Sequence, residues 1–391
     1  MNPKPPSTHR ETPASLGYRM PAEWDRHDAT WIAWPHNKGD WPGKFGPVPW
    51  VFAEIVRRLV RSELVQILIP GKALKAKAAD RLKRSGVDPD RVAFHKVATN
   101  RVWTRDTGPT FVVNPTLPAP LSLGLVDWRF NGWAKYDDHE DDDRVPRKLA
   151  ERLGLPRWSP EVELAAAAGQ ADRSKVRVVL EGGSIDVNGR GTLLTTEECL
   201  LSDVQARNPG LSKDDLERVF AEYLGVSHVV WLGRGIAGDD THGHVDDLAR
   251  FVNPRTVVTV VESDESDENF APLRENLERL RSATDQDGRA LEVVQLPMPR
   301  PVVFEGQRLP ASYANFYVAN DIVLVPTFND PADRVALSIL ADHFPGREVV
   351  GIHAVDLVWG LGTIHCMTQQ QPSPPDFDQP AARAEDAASV A

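Results

Sequence analysis

Hydrophobic and β-branched residues fall in short runs along this chain, and Asn-centred turns break the runs. Four segments read as strand, turn, strand: 110–114, 185–194, 250–258 and 316–325. Their central residues are Asn114, Asn188, Asn253 and Asn320, a period of roughly 65 to 75 residues. A helix and then a strand follow each of the later hairpins. Leu211–Leu224 places apolar positions 216, 219, 220 and 223 on one helical face behind a Ser212 N-cap, and His228–Leu232 follows as a strand. Ala271–Leu280 precedes Leu291–Leu296, and Asp330–Phe344 precedes Glu348–Ile352. Near the start, Phe52–Ser62 leads into Leu64–Ile69. A hairpin, helix, strand unit thus recurs about five times, the mark of a propeller or closed ring of α/β units.

Polar residues stand at matching places ahead of these hairpins. Asp106 lies eight residues before Asn114, and Glu181 seven before Asn188. His244 and Asp246 lie nine and seven before Asn253. A ring of like units would bring these positions to one central hole, where three carboxylates and a histidine would converge.

Composition narrows the function classes. The 391 residues are 41% hydrophobic and 26% charged, so a sizeable core is expected. No apolar run is long enough to cross a membrane as a helix. The formal charge of -11 disfavours a nucleic-acid partner and suits a cationic small molecule. Two cysteines, Cys199 and Cys366, cannot make a disulfide scaffold or a cysteine zinc ribbon. The first residues lack an apolar h-region, so a cytoplasmic protein with reduced thiols is expected. Residues 1–16 and 373–391 read as disordered tails around a single domain at 17–372. The acidic run Tyr136–Arg144 reads as a solvated loop.

The chemistry-bearing motifs admit more than one use. Cys366 follows a Gly-rich stretch among polar neighbours, which suits a reactive thiol, whereas Cys199 in a strand-like segment reads as core. In an extended segment His242, His244 and Asp246 would share one face. That set fits either a zinc hydrolase or a histidine acid/base beside a carboxylate that grips a cation.

These segments resemble the agmatine deiminase and bacterial-type peptidylarginine deiminase family of the guanidine-modifying pentein superfamily. The resemblance runs from about residue 18 to 372 and rests on Met20–Trp24, Trp31–Pro35, Trp103–Phe111, Glu181–Ser184, Thr195–Leu201, Gly243–Asp246, Ala311–Tyr317 and Ile364–Pro372. It implies a five-bladed pseudo-symmetric α/β propeller. It also implies Cys366 as nucleophile, His244 as general acid/base, Asp106 and Asp246 as guanidinium-binding carboxylates, Glu181 as a supporting acid and Trp103 as a pocket wall. No metal or organic cofactor is implied. The expected reaction is agmatine to N-carbamoylputrescine and ammonia, with peptidylarginine or another guanidine as the alternative substrate. A homo-oligomer is neither required nor excluded. The chain departs from the family pattern at His242, Asp186, Leu361, Thr363 and Arg101. None of these removes a catalytic group; several touch the pocket wall and bear on substrate choice.

Overall fold

A computed structural model describes residues 11–164 and 174–374. Most of both expected tails lies outside the described residues. Ala14–Leu16, expected in the N-terminal tail, forms one turn of 3-10 helix. The fold is mixed α/β, and five of its sheets share one plan. In each, a central strand has an antiparallel neighbour on one side and a parallel neighbour, reached through a helix, on the other.

Four sheets are built from consecutive chain. Thr110–Val113 pairs antiparallel with Leu123–Val126, and Arg157–Trp158 joins in parallel after the helix Val145–Leu153. Asp186–Val187, Thr192–Thr196 and His228–Leu232 repeat the plan around the helix Lys213–Leu224. Ala249–Phe251, Thr256–Val261 and Glu292–Pro297 do so around Phe270–Ser282. Tyr317–Val318, Ile322–Thr327 and Glu348–His353 do so around Ala332–His343. In the fifth sheet, His27–Ala33 pairs in parallel with Leu64–Ile69 after the helix Val48–Leu59. Its antiparallel neighbour is the last strand, Gln369–Pro372, so the end of the chain completes the first sheet.

Local sequence explains these elements. The helix Lys213–Leu224 begins at a capping box in which Ser212 and Asp215 satisfy each other's backbone N–H, and it stops at Gly225 in the left-handed region. Such a cap is worth about 1 kcal/mol. The helix buries Leu216, Val219, Phe220, Tyr223 and Leu224 against Trp128, Leu193 and Trp231. The segment around Cys199, expected as strand, turns helical at Glu197–Leu201 because the Thr196 hydroxyl accepts the Cys199 N–H at 3.1 Å and caps it. The acidic run also differs from a solvated loop. Glu140–Asp143 forms a helical turn, and buried Asp142 accepts the backbone N–H of Asn100 at 2.9 Å. Among the described residues, no helix is long and apolar enough to cross a membrane.

The plan matters for chemistry because a short turn precedes the first strand of each hairpin. Thr104–Thr107 carries Asp106, Gly182–Ser184 follows Glu181, and Val245–Asp247 follows His244 and carries Asp246. Asn315 and Cys366 occupy the corresponding places ahead of Tyr317–Val318 and Gln369–Pro372.

Candidate active site

Those five turns bring Asp106, Glu181, His244, Asp246, Asn315 and Cys366 together, each nine-tenths or more buried. The Cys366 thiol lies 3.8 Å from Asp246 Oδ2, and Asn315 Nδ2 donates to the sulfur at 3.1 Å. The amide orientation is fixed, because Asn315 Oδ1 accepts the backbone N–H of His365 at 3.1 Å and the Thr363 hydroxyl at 2.6 Å. A donor is therefore held against the sulfur, where it would favour a thiolate.

His244 stands among three carboxylates. Its Nδ1 is 3.8 Å from Asp106 and 4.0 Å from Asp246, and its Nε2 is 3.8 Å from Glu181. At these separations none is a hydrogen bond. Both ring nitrogens, Glu181 Oε2 and Asp246 Oδ1 are buried without a hydrogen-bond partner. Asp106 is better held: Gly183 N–H donates to Oδ1 at 2.9 Å, and Trp133 Nε1 donates to Oδ2 at 2.9 Å. The two glycines of Glu181-Gly-Gly-Ser184 are there for want of space. A Cβ on Gly183 would lie 2.5 Å from His244 Nδ1, and one on Gly182 would lie 2.2 Å from the Arg105 carbonyl.

Electrostatics follow from this crowding. Burial pushes Asp106 up to about 6, with Asp246 and Glu181 adding to the rise and His244 opposing it. Burial disfavours the His244 imidazolium, but Asp106, Cys199 and Glu181 outweigh it and raise the ring well above its ordinary value. Burial likewise disfavours ionised Glu181, yet Arg207 and His244 bring it down to about 2. Burial raises the Cys366 thiol well above its ordinary value, and Asp246, Asp247 and Asp106 raise it further.

Under this floor lies a second layer of charge. His365 Nδ1 bonds Asp246 Oδ2 at 2.7 Å, and its Nε2 bonds Glu23 Oε2 at 2.8 Å. Glu23 also pairs with Arg250 at 2.9 Å and Arg105 at 3.2 Å. Asp186 accepts from Arg250 Nε and from the Phe251 N–H, so this departure from the family pattern serves to hold Arg250.

A cavity of about 400 Å³ opens above Cys366 and Asp106, and Trp103, Trp133 and Gly362 wall it nearby. Trp103, expected as a pocket wall, lines this cavity. The segment expected to align His242, His244 and Asp246 does not do so. His242 has φ +64° and Gly243 φ +94°, which breaks the alternation, and His242 Nε2 faces Ser202 Oγ at 3.2 Å instead. The zinc set of His242, His244 and Asp246 is therefore not assembled. Sequence reasoning missed Asn315, Trp133, His365 and Arg207. Asn315 had a signal, since it sits five residues ahead of Asn320 as the fourth member of the repeating series. Trp133 had none: it reaches Asp106 from an Asn131-capped turn at φ +56°.

A thiol, an imidazole and carboxylates gathered where Cys366 and Asp106 line the cavity form an arrangement suited to a planar cation. Comparisons with known proteins agree with that class. The chain belongs to the family of Porphyromonas-type peptidyl-arginine deiminases, which it matches over residues 19–372. It is 36% identical to the agmatine deiminase of Stutzerimonas stutzeri over 94% of this chain and 99% of that one. Agmatine deiminase of Enterococcus faecalis superposes with a TM-score of 0.81 at 31% identity, covering 93% of this chain and 98% of that one. A Cys-to-Ser agmatine deiminase of C. jejuni with substrate bound superposes with a TM-score of 0.77 at 28% identity, covering 91% of this chain and 97% of that one.

Proposed function

We propose that the chain is an agmatine deiminase that hydrolyses agmatine to N-carbamoylputrescine and ammonia through Cys366. The carrying observation is that Asp246 joins the Cys366 thiol, 3.8 Å away, to His244, which also faces Asp106 and Glu181 with its ring nitrogens unpaired. The agmatine deiminases among the relatives support the substrate.

Asp106 and Asp246 receive the N–H edges of the guanidinium and turn its carbon toward the sulfur. Arrival of the cation offsets the negative field that holds the thiol protonated, and the proton leaves to solvent. Thiolate attack on the guanidinium carbon forms the S–C bond and gives a neutral tetrahedral adduct. His244, as imidazolium, protonates one terminal nitrogen, and the C–N bond breaks to release ammonia. An S-alkylthiouronium remains on Cys366. The now neutral His244 takes a proton from water and hydroxide adds to the same carbon; the C–S bond then breaks to return the thiolate, and the hydroxyl proton passes to solvent to leave the neutral carbamoyl product. Glu181, pinned by Arg207 at 2.9 Å, holds the charge of His244 in place.

Residues 17–372 act in this reading as one catalytic domain. The five like sheets, closed by the pairing of Gln369–Pro372 with His27–Ala33, support a five-bladed pentein propeller. Free thiols at Cys199 and Cys366 suit a reducing cytoplasm.

Ammonia release from purified protein given agmatine, free arginine and an arginyl peptide tests the reading, with Cys366→Ala as control. Release from agmatine that is lost in Cys366→Ala is expected. Release from the peptide but not from agmatine would move the chain to the alternative substrate, and full activity in Cys366→Ala would overturn the mechanism.

A further inference from the structure

The wall of the cavity away from Cys366 is acidic. Asp40, Asp138 and Asp240 line it, and Arg101 is the one cationic side chain lining the cavity among the described residues. Arg101 looks at first like a receptor for a substrate carboxylate, but both of its terminal nitrogens are turned to Asp138. NH1 and NH2 bond the carbonyl and the carboxylate of Asp138 at 2.8 and 2.7 Å, and the guanidinium stacks over Tyr136 at 4.6 Å. Asp240 is occupied as well, by Lys135 and by the Tyr136 hydroxyl.

Asp40 is different. Its side chain is 8% exposed, Oδ1 has only a 3.8 Å approach from Arg101 Nε, and Oδ2 is buried with no hydrogen-bond partner. A buried carboxylate oxygen left unpaired at a cavity wall is costly until a donor arrives. Burial pushes this carboxyl up to about 7, with Arg101 opposing the rise and Asp138 adding to it. The residue is also held in place. Asn37 Oδ1 accepts the Gly39 N–H at 2.9 Å to fix the turn Lys38–Asp40, and the next residue, buried Trp41, donates its indole N–H to the Leu357 carbonyl at 2.8 Å.

We propose that Asp40 is the specificity-determining residue for the far end of the substrate, taking a primary ammonium at the end of an alkyl chain whose guanidinium sits on Asp106 and Asp246. This rests on the agmatine reading and deepens it. Asp40 selects for a cationic tail, and it selects against the α-carboxylate of free arginine through like-charge repulsion. Arg101 keeps Asp138 turned to itself and leaves Asp40 as the open acceptor.

Steady-state kinetics on the full chain test this with agmatine and pentylguanidine, in which a methyl group replaces the ammonium. Loss of one charge-assisted contact should lower kcat/KM for agmatine about tenfold to a hundredfold in Asp40→Asn, mainly through KM. Pentylguanidine turnover should stay within about twofold of the unmodified enzyme, because no charged contact is lost. Equal losses on both substrates, or none on either, with agmatine still turned over by the unmodified protein, would overturn the role of Asp40 and leave the agmatine reading intact. No ammonia from agmatine in the unmodified protein would overturn both. Should Asp40→Asn not fold, Asp40→Ser carries the same comparison.

Discussion

Two clusters of buried charge meet at Asp246, and they are built to opposite rules. Below, every strong partner is taken: Glu23 holds Arg105, Arg250, His365 and the Val318 N–H, and Arg250 also holds Asp186 and the Phe316 carbonyl. Above, His244 has neither nitrogen bonded, and Glu181 Oε2 and Asp246 Oδ1 are unpartnered. Both hold a histidine and carboxylates at like burial, and the lower one adds Arg105 and Arg250. What differs is saturation. The lower cluster fixes shape, and the upper one keeps acceptors free for a ligand that brings its own donors. Asp246 belongs to both: His365 holds one oxygen at 2.7 Å, and the other stays open.

Substitutions in the two layers should therefore fail in different ways. His244→Gln, in the open layer, should lower kcat by about 10²- to 10⁴-fold, because the acid/base group is lost. Equal kcat in that variant, by continuous ammonia assay, would remove His244 from the chemistry. Arg250→Met, in the closed layer, should cost about 3–5 kcal/mol of stability, because Glu23 and Asp186 then stay buried against one another. Denaturant melts read this directly, and a variant as stable as the parent would mean that the lower layer is not what holds the fold here.

The smallest expected effect is on pH. Asp106 sits at about 6, above the ordinary carboxylate range, so its ionised form is lost as pH falls through that value. Binding of a guanidinium needs that form. KM for agmatine should rise as pH drops below about 6, while Glu181, at about 2, stays ionised throughout. A KM that is flat from pH 7 to about 5 would show that Asp106 does not grip the cation.

Much of this arrangement was legible in the sequence, because the repeat was. The Asn turns at 114, 188, 253 and 320 marked four hairpins that form, and the strands Leu64–Ile69 and His228–Leu232 have the expected bounds. Asp106, Glu181, His244 and Asp246 stand at matching places ahead of those turns, and the structure gathers the three carboxylates round His244, with Asp246 also 3.8 Å from the Cys366 thiol. The failures share a cause. His242 was assigned a face from strand alternation, and two left-handed residues removed the alternation. Composition alone places Asp142 in water, and the backbone N–H groups of Asn100 and Arg101 draw it inward instead. The closed layer was invisible for another reason: Glu23, Arg250 and His365 lie far apart in sequence, and nothing local marks a residue that pairs across the fold.

The central claim is that the open layer delivers a guanidinium carbon to Cys366. Acid-quenched mass spectrometry of the protein during agmatine turnover tests it most directly. The account predicts a mass gain equal to agmatine less ammonia, confined to the peptide that carries Cys366 and absent in Cys366→Ala. Sustained ammonia release with Cys366 unmodified, and with activity kept in Cys366→Ala, would contradict it.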